Sequence, residues 1–291
     1  MCVDRRELSD LLRRPQPAQG RAGFRQGAGR RQDRGSAGGA RAAVTLHRPE
    51  CRRLQRRSGA CVVLLALVLA ALALELGLLA FGIGGPGWIL LWPAVAFLIV
   101  ALAYLTQSSV PFGKVGVEFR AGRRILLLPY LATVTVIWHV LRLVERRAPW
   151  NQLNQGFFIG RRLLRHEYPP GIASVVDLTC ELPAITPAGE PVKYFNFPIL
   201  DAGCPSPTEL HANVKAILSL PRPVYVHCAQ GHGRTGLVAA AILLAEGHAK
   251  TVGEALGQTV AARPGVHVNR RQRLVLEQSA QTLTSNDAAA L

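Results

Sequence analysis

Val224-Tyr225-Val226-His227-Cys228-Ala229-Gln230-Gly231-His232-Gly233-Arg234-Thr235-Gly236 passes from an apolar run through a glycine-containing loop into an apolar, helix-forming stretch. Val224–His227, bounded by Pro221 and Pro223, reads as a buried strand, and Thr235–Glu246, ended by Gly247, as a helix. A strand, a tight loop and a helix in that order aim unpaired amide N–H groups and the positive end of a helix at one point, which makes an anion site. Arg234 can fork two hydrogen bonds onto phosphate oxygens, a geometry that Lys cannot reproduce. Cys228 lies in the same positive field, which favours the nucleophilic thiolate. Gly231 and Gly233 let the backbone curve closely around an anion. Ala229, Gln230, Gly231, His232, Gly233, Arg234 and Thr235 are thus the expected phosphate-binding residues, with the Thr235 hydroxyl expected to donate to the sulfur.

Outward from the loop, Ile172–Thr179 and Lys193–Phe197 read as two more strands. Ser206 with Glu209 forms a capping box, with Pro207 at the first helical position, and opens a helix to about Leu220. Thr251 with Glu254 repeats the box pattern, and Asn269 can cap a last helix running to Thr282. Strands alternating with helices predict an α/β domain over residues 150–286 with a parallel or mixed sheet and helices on its faces.

His227-Cys228, five residues, then Arg234-Thr235 resembles the signature loop of the protein tyrosine and dual-specificity phosphatase superfamily. Phe197-Pro198-Ile199-Leu200-Asp201 resembles the segment that carries the family's general acid. Arg263-Pro264-Gly265-Val266, with Asn269 and Gln272 following, resembles its late helix, which helps position the attacking water. Asn154–Arg161 and VVDLT (residues 175–179) resemble the entry to the dual-specificity fold. The resemblance implies a central mixed or parallel sheet flanked by helices and a phosphocysteine formed on Cys228. It implies Arg234 on the phosphate, Asp201 as general acid, and His227 and Gln272 in support, with no metal or other cofactor. His232 stands where some lipid and inositol phosphatases of the superfamily carry Lys, and either a headgroup contact or a solvent-facing ring fits it. The implied substrate is a phosphoprotein, on Tyr, Ser or Thr, or a phospholipid headgroup. The competing expectation is a catalytically inactive, membrane-tethered phosphate-binding or scaffold protein.

The first half has a different character. Of the net charge of +16, residues 1–59 hold 15 Arg against 5 acids, whereas residues 150–291 hold 12 bases against 10 acids. The basic balance therefore belongs mainly to the tail, and no nucleic-acid partner is expected. Residues 13–43 are rich in Arg, Gly, Ala and Gln and lack apolar periodicity, so the 1–59 tail is expected to be disordered. Cys61–Phe81 and Trp88–Leu105 are apolar runs of 21 and 18 residues joined by GIGGPG, lengths that suit a transmembrane hairpin over 60–106. Glu75, the one charge inside the first run, is expected to reach the interface. Arg52, Arg53, Arg56 and Arg57 precede the hairpin, while Lys114, Arg120, Arg123 and Arg124 follow it. The positive-inside rule then places both flanks, and the catalytic domain, on the cytoplasmic side of an inner membrane crossed more than once. Residues 107–149 are expected to be juxtamembrane, with Ile125–Val144 an interfacial, re-entrant or third membrane helix; a third span would put the catalytic domain on the other side. The six Cys are scattered, which indicates neither a zinc site nor a disulfide framework; Cys180 and Cys204 are read as plain thiols, the alternative being a protective disulfide with Cys228 formed on oxidation.

Overall fold

The computed structural model describes residues 48–189 and 191–285; of the 1–59 tail expected to be disordered, residues 1–47 lie outside the described residues and residues 48–59 are helical, contrary to that expectation. The first helix, α1 (Arg48–Ile83), starts at Arg48 rather than at residue 60. Its single proline, Pro49, falls in the first turn, where a missing N–H removes no helical bond. Gly84 (φ 61°) and Gly85 (φ 42°) take the positive φ that turns the chain, and a 3₁₀ turn, Gly85–Leu90, leads into α2 (Leu91–Thr106). Phe81 meets Trp88 edge to face across this turn, at 4.9 Å between centroids. The stretches Val62–Ile83 and Gly85–Thr106 are each 22 residues, long and apolar enough to cross a membrane.

Beyond Thr106 the chain forms a small hairpin, β1 (Lys114–Val115) and β2 (Glu118–Phe119), then α3 (Ala121–Leu126) and α4 (Leu128–Val144). Pro129 sits in the first turn of α4, where it is tolerated. The Trp92 Nε1 donates to the carbonyls of Ile125 and Leu126 at 3.1 and 3.2 Å, which seats the α3–α4 junction beside the start of α2. Phe97 and Tyr130 meet edge to face close by. The third apolar stretch thus folds back along the second helix before it reaches the C-terminal domain.

That domain is built on β3 (Trp150–Asn154), β4 (Phe157–Arg161), β5 (Ser174–Thr179), β6 (Lys193–Ile199) and β7 (Val224–Cys228). The sheet order is β3-β4-β7-β5-β6, with β3 antiparallel to β4 and the other pairs parallel. The two-residue period of a strand assigns the faces. Val224, Val226, Cys228, Val176 and Leu178 join one buried cluster with α5 (Pro207–Leu218), α6 (Gly233–Ala245), α7 (Val252–Ala262) and α8 (Arg270–Ser285). Tyr225 and Val175 point the other way, into a smaller cluster with Leu163, Tyr168 and Ile172. Helix α6 is buried from Arg234 to Ala245, so the loop preceding it is anchored at both ends by core elements.

Candidate active site

Cys228 ends the central strand and Gly233 opens α6, so four residues span the turn between them. Gly231 makes that turn possible. Its φ is 71°, and a Cβ there would meet the Gly160 carbonyl carbon and oxygen and the Arg161 nitrogen, all closer than any real side chain approaches. The Gly231 N–H then faces the Cys228 Sγ at 3.2 Å. The bond expected from Thr235 to the sulfur is not made. Its Oγ1 is buried without a hydrogen-bond partner, and the backbone amide occupies the sulfur instead.

Arg234, 2 % exposed, is held by a residue that the sequence reading did not single out. Glu181 receives both guanidinium nitrogens, Nη1 at 3.0 Å and Nη2 at 2.8 Å, while Nη1 also donates to the Ile199 carbonyl at 2.9 Å. Burial opposes the charge on Glu181, but Arg234 outweighs it and the carboxyl lies below the ordinary Glu range. Burial likewise opposes the charge on Arg234, and Glu181, Asp201 and Cys228 reverse the balance, raising its pKa well above the usual value. Asp201 lies in the turn after β6, its side chain 62 % exposed, with Oδ1 3.1 Å from Arg234 Nη2. Cys228, Arg234 and Asp201 are therefore brought to one place by three separate elements.

His227 points to the opposite face of the sheet from Cys228. Its ring stacks on Tyr225, and Nδ1 lies 3.3 Å from the Cys228 carbonyl oxygen and 3.9 Å from Asp177 Oδ1. Burial pushes its pKa down to about 4 despite the pull of Asp177, so the imidazole is neutral. Asp177 is itself saturated. Lys114 Nζ donates to Oδ2 at 2.5 Å and Tyr194 donates its hydroxyl there too, while the Thr179 N–H and hydroxyl donate to Oδ1. Burial would raise the Asp177 pKa, but Lys114, followed by His227 and Tyr194, holds it well below the ordinary range.

The remaining loop residues divide by environment. Ala229, Gln230, His232 and Gly233 are half-buried. The His232 ring lies 5.4 Å from that of His267; burial, then His267 and Arg263, lowers its pKa to about 4. It is a neutral ring and not the positive charge that a Lys would supply. Gln272 is buried against the loop. It accepts from the Asn269 N–H at 3.1 Å and donates to the Gly203 carbonyl at 2.9 Å, and its Oε1 lies 3.3 Å from where a Gly233 Cβ would stand. Arg263 also reaches the loop, with Nε donating to the Gly231 carbonyl at 3.0 Å.

Among the contacts from outside the C-terminal domain are Lys114 to Asp177 and Trp138 Nε1 to the Ala229 carbonyl at 3.2 Å. Glu181, Lys114 and Trp138 had no signal in the sequence. Each acts through a partner more than 50 positions away, and no local pattern marks such a pair. Cys180, Cys204 and Cys228 are free thiols. Burial raises the pKa of Cys180 well above its usual value and that of Cys204 to about 11, which keeps both as thiols.

Residues 164–288 match the family model described as PTP-SAK, Swiss Army Knife protein, DSP-PTPase phosphatase domain. Similar solved structures include a mouse protein of the dual-specificity phosphatase type, crystallised with zinc tungstate, at 22% identity and TM-score 0.41, covering 48% of this chain and 91% of its own. Tk-PTP in its active form is also similar, at 22% identity, TM-score 0.37, and 46% and 97% coverage. PTPMT1 follows at 18% identity, TM-score 0.38, and 48% and 98% coverage. No curated protein matches the chain.

Proposed function

We propose, from the match of residues 164–288 to the model of a DSP-PTPase phosphatase domain, that the chain is a membrane-anchored phosphatase of the cysteine-dependent superfamily that hydrolyses phospholipid headgroup monoesters through a phosphocysteine on Cys228. The observation that carries the chemistry is the convergence of Cys228, Arg234 and Asp201 on one loop. The Cys228 sulfur attacks phosphorus, forming the S–P bond as the P–O bond to the leaving group breaks, and Asp201 gives its proton to that oxygen. Water then attacks phosphorus, the S–P bond breaks, and Asp201 takes the proton from the water. Arg234 and the loop amides, Ala229 through Thr235, hold the equatorial oxygens in both steps. Before substrate arrives, Arg234 carries Asp201 as a counter-ion. A phosphate taking that place on the guanidinium frees the Asp201 carboxylate, which takes a proton from solvent and then gives it to the leaving oxygen. Neutral His227 steadies the loop from behind, and Gln272 packs against it.

The anchor supports the lipid as substrate. Only 22% of the first apolar helix and 39% of the second is buried within the protein, which leaves long apolar faces for a bilayer. Cys180 and Leu200, the neighbours of Glu181 and Asp201, share a buried cluster with Tyr104 near the end of α2 and with Tyr130 of α4. Arg271 also donates to the Gln107 side chain at 2.8 Å. The rim bearing Asp201 thus rests on the end of the second apolar helix, within reach of headgroups. The Arg and Lys flanks favour the cytoplasmic side for this rim.

The test uses the full chain in mixed micelles beside Cys228→Ser. Phosphate release is followed from phosphatidylglycerophosphate, phosphoinositides, phosphotyrosine peptides and an aryl phosphate. Cys228-dependent turnover favouring the lipids supports the reading, peptide preference makes the anchor a tether for a phosphoprotein phosphatase, and silence on every ester leaves a binding protein. Asp201→Asn is expected to slow turnover most for poor leaving groups, and equal loss with good and poor ones would remove Asp201 from the acid role.

A further inference from the structure

The Ala229 carbonyl directly follows the cysteine and accepts two donors, the Arg162 N–H and the Trp138 indole N–H, both at 3.2 Å. A peptide unit is planar and trans, so a carbonyl drawn to one side sends the next N–H to the other. Fixing the Ala229 carbonyl therefore turns the Gln230 N–H away from Trp138. The Gly231 carbonyl is held by Arg263 in the same way, which sets the His232 N–H. The direction of two loop amides thus depends on donors behind the loop. One of these donors, Trp138, lies in α4, which precedes the C-terminal domain. The indole is well fixed: it is 2 % exposed, and the Arg162 guanidinium lies 4.5 Å over its ring.

We propose that Trp138 is a positioning residue of the anion loop, supplied by the juxtamembrane helix, so that the seating of α4 sets how tightly the loop holds a phosphoryl group. The proposal rests on the loop being the phosphate cradle named under Proposed function. It adds that the cradle is complete only when the membrane-proximal segment is docked.

The test compares the full chain in detergent with Trp138→Phe, which keeps a ring for Arg162 and removes the N–H. Inorganic tungstate binding is measured by calorimetry, kcat and KM with an aryl phosphate, and the melting temperature alongside. Loss of one neutral hydrogen bond to the loop is expected to weaken tungstate about fivefold and to lower kcat/KM at least as much. Should Trp138→Phe fail to fold, 3-benzothienylalanine at position 138 keeps the ring shape and lacks the donor. Unchanged tungstate affinity and kcat/KM in a folded variant overturn the proposal, whatever the melting temperature does. Tungstate binding that weakens in the variant, in a protein that hydrolyses no ester, upholds the positioning role and sinks the phosphatase reading. A wild-type loop that binds no tungstate overturns both.

Discussion

His227 is buried next to Cys228 yet neutral, with a pKa near 4 set mainly by burial. An unfolded histidine titrates near ~6.5. Below that pH the unfolded chain takes up a proton that the folded chain refuses, so stability is full above about 6.5 and falls as pH drops toward 4. Asp177 and Glu181 are also shifted down, which for a carboxyl favours the charged form, so their contributions persist until the pH falls below the ordinary carboxylate range. The window between pH 6.5 and 5 therefore belongs to the buried imidazoles. His227 is expected to cost about 2 kcal/mol of stability by pH 5. Half-exposed His232 adds a smaller, solvent-screened share. Melting temperatures in detergent across that range measure the slope, and His227→Asn is expected to flatten most of it. An unchanged slope would place the proton uptake elsewhere.

At the scale of elements, β1 matters for one side chain. Lys114 Nζ is fully buried, pairs with Asp177 and donates to the carbonyls of Thr179 and Leu182. Removing one partner of a buried pair leaves an uncompensated charge, so Lys114→Met is expected to destabilise the protein by about 3–5 kcal/mol. Adding Asp177→Asn removes the stranded charge and is expected to recover much of that loss. A double variant no better than the single would show that Lys114 acts through packing and not through its charge. The same contact shows where sequence reading reaches its limit. The loop from Cys228 to Arg234 was legible because strand, glycines and helix start lie within thirteen residues and their physics is local. The strand around Asp177 was legible as an apolar run, but Lys114 stands 63 positions earlier in what reads as a linker. The Thr251 box fails for a local reason: Glu254 accepts from the Lys250 N–H and not from that of Thr251. Only the forward half of that cap forms.

At the scale of the whole molecule, the juxtamembrane segment 107–149 reads from sequence as a connection between an anchor and an enzyme, whereas in the structure it is part of the enzyme's interior. Lys114 saturates Asp177, Trp138 holds the Ala229 carbonyl, and Phe112, Leu127, Tyr130 and Leu131 cover Cys180 and Leu200. A fragment beginning at Trp150 contains all the residues proposed for chemistry and lacks every one of these contacts. It retains a buried carboxylate without its cation and exposes apolar surface next to Glu181 and Asp201. A fragment beginning at residue 107 keeps the lysine, the tryptophan and the cover. The unpaired Asp177 alone is worth a few kcal/mol, which for a domain of this size corresponds to about 10 °C in melting temperature. Fragment 150–291 is therefore expected to melt at least that far below fragment 107–291 in the same detergent, with lower activity on an aryl phosphate when both are folded. Equal melting and equal activity would make residues 107–149 a tether, and the catalytic domain would then begin near Trp150. A large gap would move the boundary of the folding unit to the end of the second apolar helix, where the position of α4 and the geometry of the loop are set together.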